Sequence, residues 1–205
     1  MKLAWGLLAA WILHDLEELA TMPRWSHQAP DQINTALRSA FPATFPSTSP
    51  SSPGATHWVP SGSVHSGLDP VLRSALPMSR AEAATAIGLV GVVMAAASVQ
   101  GARTGGRSAL FQSASAGFAL HAVTHLAQSA ALRRYTPGLM TTPLVVIPYA
   151  LWARREMRNI PKAPTNPALT TALALAVPAA HLLARLPRLR HSPRTRPPHP
   201  PRPST

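Results

Sequence analysis

The sequence predicts an all-α fold, a polytopic transmembrane bundle of about five spans, on three observations. Apolar residues come in blocks of bilayer-crossing length, for which about 17–25 residues are needed. Charge is sparse, 13% of the 205 residues against 46% hydrophobic. The basic residues collect beside the blocks, in the manner of topogenic charge.

Taken in order, the spans are expected at Leu3 to Thr21, Ala81 to Gln100, Ser108 to Leu132, Pro137 to Ala153 and Pro167 to Leu186. The first could pass for a signal peptide, since Lys2 precedes an apolar run. It ends in His14-Asp15-Leu16-Glu17-Glu18 and not in small residues suited to cleavage, so it reads as a membrane helix. In the second, Gly88 and Gly91 would let a neighbouring helix approach closely. The fourth follows a connection of only four residues, Arg133 to Thr136, which demands an adjacent antiparallel partner, and Pro137 suits a first helical turn. Pro178 and His181 interrupt the fifth.

The chain thus divides into residues 1–38 (first helix and start of a loop), 39–77, 78–186 (helices two to five) and 187–205. The segment 39–77 is rich in Ser, Pro and Gly and cannot bury a core, so it is expected to be a disordered insertion that can be deleted. The Pro/Arg-rich tail reads the same way. A net charge of +12 raises the question of nucleic acid. The basic residues form no helical stripe with interleaved aromatics, so no nucleic-acid partner is expected. The expected partners are the lipid bilayer and a lipid or other hydrophobic substrate. With no cysteine, any metal must be held by His and carboxylate groups.

Only seven Asp and Glu residues occur, and three of them stand at positions 15, 17 and 18. Ionisable groups at membrane depth are costly and mark function. At 100° per residue His14, Glu17 and Glu18 share a helix face while Asp15 points away; His121, His125 and Gln128 form a stripe on the third span. At a rise of about 1.5 Å per residue, His14 lies roughly 16 Å and His121 about 20 Å from the side where these parallel spans begin. Glu82, opening the antiparallel second span, enters near the same layer. The expected metal ligands are His14, Glu17, His121 and His125, a set suited to a divalent ion such as iron, manganese or zinc. Glu18 and Glu82 are expected as ligand or general base, and Gln128 and Tyr135 as groups that support the ligands or orient substrate. Asp15 should tolerate Asn.

The chain resembles the HXXEE-domain family of small bacterial integral membrane proteins, whose motif is matched by His14, Glu17 and Glu18. The likeness extends to His121-Ala122-Val123-Thr124-His125 with Gln128, to Leu132 through Gly138, and to Pro148-Tyr149. It implies a multi-pass protein of a bacterial cell membrane with a shared polar site. The site suggests a metal-dependent enzyme acting on a lipid or hydrophobic substrate by oxidation or hydrolysis. The alternatives are a membrane carrier or proton-coupled binding protein using the same residues, or a structural membrane protein.

Overall fold

The computed structural model describes residues 2–41, 72–163 and 167–190. Among these the structure is helical, without strands. The helices are α1 (Lys2–Ala40), α2 (Arg80–Thr104), α3 (Ala109–Leu132), α4 (Ile147–Glu156) and α5 (Pro167–Arg190), with a widened π-helical turn, Thr142–Val146, leading into α4. One of them, α2, is long and apolar enough to cross a membrane by length and composition. Polar residues such as His14, Glu17, His121 and Gln112 dilute the apolar character of α1 and α3.

The helix ends follow from local chemistry. Ser79 caps α2 by accepting from the Glu82 backbone N–H, and the Glu82 carboxylate accepts from the Ser79 N–H in return, a reciprocal capping box. The helix stops at Gly105, whose φ of +61° suits glycine. Ser108 then caps α3 through the Phe111 N–H. Before α4, Pro148 has no N–H to offer the preceding turn and its ring crowds the carbonyl four residues back, where the helix widens.

Two expected boundaries are corrected. The first helix does not stop near Thr21 but runs on through Pro23 and Pro30 to Ala40. Ser26 helps to hold the extension, donating to the Pro23 carbonyl and accepting from the Met78 N–H at 2.9 Å. The fourth helix starts at Thr142 and not at Pro137, because residues 136–141 form a folded loop closed by bonds from Leu139 N–H to the Thr136 carbonyl and from Thr142 N–H to the Gly138 carbonyl. Of the segment expected to lack structure, 72–75 is a helical turn, and 42–71 lies outside the described residues. Of the tail, 187–190 continue α5, and 191–205 lie outside them too.

The core is built largely from alanine, which lets helices approach closely. Ala4, Leu7, Ala10, Met94, Ala97, Phe111, Ala114, Phe118, Ala122, Val146, Tyr149 and Ala153 form one buried cluster drawn from α1 to α4. Trp11 seats on Gly91, where an added Cβ would lie 2.6 Å from its ring, whereas Gly88 faces open space and has no such packing role. Helix α5 joins through Ala180 and Ala184 against Ala86 of α2, and Arg185 donates to the Ala75 and Leu76 carbonyls. This arrangement sets the first half of α1 against the second half of α3, with the loop 136–141 folded over both.

Candidate metal centre

One turn of α1 and one turn of α3 build the site. His14 and Glu18 are four residues apart on α1, and His121 and His125 four apart on α3, so each pair shares a helix face. The packing turns the two faces toward each other. His14 Nε2 lies 3.3 Å from His125 Nε2, and His125 Nε2 lies 2.8 Å from His121 Nε2. The Glu18 carboxylate is 3.3 Å from His125 Nε2 and 3.8 Å from His14 Nε2. All four ligand atoms fall within 4.8 Å of one another. His14 is completely buried, Glu18 and His125 nearly so, and His121 is partly buried.

These separations suit a shared cation. Ligand bonds of about 2.0–2.1 Å at the tetrahedral angle place donor atoms about 3.3 Å apart. Protons alone satisfy the group poorly. Thr141 Oγ1 gives its hydrogen to the Glu17 carboxylate at 2.6 Å, so it must accept from His14 Nδ1–H at 2.9 Å. With its proton on Nδ1, a neutral His14 turns an Nε2 lone pair toward His125. His125 Nε2 also faces His121 Nε2, and one hydrogen cannot bridge both contacts linearly. A metal accepts all three lone pairs at once.

The expected residues are distributed as follows. His14, His121 and His125 come together, and the carboxylate that joins them is Glu18. Glu17 stands outside the group because the loop occupies it: Tyr135 Oη donates to it at 2.5 Å, Met140 N–H at 3.1 Å, and Thr141 through N–H at 2.7 Å and through its hydroxyl. Partial burial, and then the bond to Glu17, push the Tyr135 phenol above its ordinary pKa, so it remains a donor at neutral pH. Glu82 is engaged in the cap of α2 and does not enter the cluster. Gln128 is exposed one turn beyond His125. Asp15 does not join the ligands, yet it is buried, at 8% exposure, and lines a cavity beside Glu18.

Two contributors have no counterpart among the expected residues. Thr141 links His14 to Glu17, giving a relay from imidazole through hydroxyl to carboxylate that fixes the ring's tautomer and orientation. Gly138, at φ +79°, lies directly against the histidines; a Cβ there would come within 2.6 Å of His14 Cε1 and 2.8 Å of His125 Cε1. His125 Nδ1 is buried next to the Pro137 carbonyl of the same loop, short of regular hydrogen-bond geometry.

The motif that names a family model, His-x-x-Glu-Glu, is thus the structural core of the site: His14 and Glu18 face α3, while Glu17 holds the loop. The model of proteins of unknown function with an HXXEE motif matches residues 5–153, most of the chain. The chain belongs to this family. The HXXEE match takes in the cluster, the loop and α4 up to Ala153, and ends before α5. No curated protein and no solved structure matches the chain.

Proposed function

We propose that this HXXEE protein is an integral membrane protein that binds one divalent metal through His14, Glu18, His121 and His125 and acts there on a lipid or other hydrophobic substrate, by oxidation or hydrolysis. The observation that carries this reading is the outlook of the cluster. Glu18 and His121 line a cavity of about 540 Å³ whose other walls are mostly apolar, among them Trp11, Ile87, Val90, Met94, Leu120 and Val177. A metal held there is reachable from an apolar chamber, as a catalytic ion with an open position must be, whereas a purely structural ion is enclosed by protein ligands. The metal would supply Lewis-acid or redox chemistry when bound; the chain would hold it and orient its ligands through Thr141 and Glu17.

The membrane part of the proposal rests on surface character. Besides the apolar α2, large apolar side chains are exposed on each long helix, including Leu16 on α1, Val92 on α2, Leu120 and Val123 on α3, Leu151 on α4 and Leu182 on α5. Exposure on this scale marks an interaction surface, and lipid suits one to which all five helices contribute. Lys2, Arg103, Arg107, Arg154 and Arg155 fall at the helix ends on one side of this belt, where Lys2, Gly105 and Glu156 border a common cleft.

The test is elemental analysis of the full chain purified from membranes in detergent without added metal, after the membranes are washed in alkaline carbonate. Retention in the washed membrane with about one metal per chain is expected. Release by the wash would overturn the membrane assignment, and protein that takes up neither iron, manganese nor zinc would overturn the metal assignment. In the second case a carrier or proton-coupled binding protein becomes the better reading. The specific support for that rival is the row of three imidazoles at hydrogen-bonding distances.

The relay predicts a graded effect. Thr141→Val keeps the shape but removes the hydroxyl between His14 and Glu17. Metal affinity, read by competition with a chelator, should fall by about 10–100-fold, the usual range for groups that orient a ligand. Unchanged affinity would mean that the hydroxyl contributes nothing to holding His14.

A further inference from the structure

The cavity beside the metal site has its own polar end, and Asp15 is its centre. Asp15 is buried, lines the cavity, and has no hydrogen-bond partner for its side chain among the described residues. A buried carboxyl group left without a partner is costly, and the cost is met where a ligand supplies the missing donor. Two of its polar neighbours in the cavity offer acceptors as well. His181 of α5 donates Nδ1–H to the Val177 carbonyl at 2.9 Å, so the neutral ring offers Nε2 as an acceptor. Thr124 gives its hydroxyl hydrogen to the His121 carbonyl at 2.7 Å and retains only lone pairs. Glu18, His121 and Ser113 are the other polar residues of the lining, the rest is apolar, and the volume of about 540 Å³ matches a ligand site and far exceeds a packing defect.

We propose that the cavity binds a long-chain amphiphile whose head donates hydrogen bonds, a hydroxyl or an amine, with Asp15 and His181 receiving the head and the chain lying along Val90, Met94 and Val177. Carboxylate and phosphate heads are disfavoured, because Asp15 and Glu18 face the same space. A bare hydrocarbon would leave Asp15 without a partner. The proposal names the substrate class of the site described above and in that respect rests on it. Its chemistry resides in the cavity and not in the metal. His181 and Val177, on α5, lie outside the part of the chain that the HXXEE match covers.

Trp11 lines the cavity and reports occupancy. The probes are dibrominated octadecanol, octadecylamine, octadecanoic acid and octadecane, each titrated against the full chain in detergent with chelator present. The signal is the quenching that Trp11→Phe removes. The alcohol or the amine should quench saturably, with the acid and the hydrocarbon roughly tenfold weaker or more; whichever donor binds more tightly identifies the head. Asp15→Leu should bring the affinity for the alcohol and the amine down to that of the hydrocarbon. Gly117→Leu is a second variant, since a Cβ at Gly117, on the cavity wall, meets nothing within 4 Å; it should narrow the chamber and weaken quenching by all four probes. Equal binding of alcohol and hydrocarbon, tightest binding of the acid, or an Asp15→Leu variant that binds the donors like the parent would overturn the proposal. Metal content measured in parallel on both variants should match the parent. Failure of the metal reading would show there, and failure of the amphiphile reading would show only in the quenching.

Discussion

His14→Ala, His121→Ala and His125→Ala are each expected to take the metal content of the purified protein from the proposed one ion per chain to background, and to do so equally. The expectation follows from the shared geometry. Each imidazole presents Nε2 to the same small volume, and removing one leaves two buried rings and the Glu18 carboxylate with too few donors to hold an ion against chelator. Glu18→Gln keeps an oxygen at the same place but loses its charge, so it should weaken binding without abolishing it. Asp15→Asn should bind metal like the parent, because Asp15 lines the cavity and is not among the ligands. Thermal melts with and without chelator guard against confusing lost metal with lost fold. Binding to the native state alone raises the melting temperature, so chelator should lower it for the parent and leave the three histidine variants unmoved. Full metal content in His14→Ala and His125→Ala would sink the assignment.

How far the sequence foretells this site varies from residue to residue. The blocks of apolar residues were enough for the helical character of the described residues, and the four-residue spacings in His14/Glu18 and His121/His125 were enough to mark two polar helix faces. The choice between Glu17 and Glu18 was beyond helix periodicity. Both lie on one broad face of α1, and what separates them is a tertiary contact: the loop 136–141 takes Glu17, so Glu18 is the one left facing α3. Glu82 illustrates a local signal outweighed by a depth argument. Ser79-Arg80-Ala81-Glu82 is a capping box in plain sequence, and its carboxylate is used where it stands. Pro23 stands inside α1 without ending it. A proline inside a helical pattern usually ends it, yet here the lost hydrogen bond is outweighed by packing of Ser26, Ala29 and Pro30. The role of Thr141 depends on where the widened turn before α4 returns the chain, which no periodicity reveals.

Gly138→Ala is expected to damage the site as severely as loss of a ligand, although it removes no functional atom. Two effects combine there. The φ of +79° is unfavourable for any residue with a Cβ, at a cost of about 1–2 kcal/mol. The methyl group would also need space already filled, 2.6 Å from His14 Cε1 and 2.8 Å from His125 Cε1. Either the rings swing apart, which spoils the convergence of their Nε2 atoms, or the loop lifts and carries Thr141 away from His14. On both routes metal affinity drops, on the order of 100-fold or more, since orientation by the surrounding shell sets affinity at that scale. Gly105→Ala separates the two effects. Gly105 has a φ of +61°, but a Cβ there meets nothing within 4 Å. It should lose stability from the backbone term alone and keep the parent's affinity for metal. The measurement is chelator competition on both variants beside their thermal melts. Equal affinity in Gly138→Ala and Gly105→Ala would mean that the loop does not press on the histidines, and that the site is held by α1 and α3 without it.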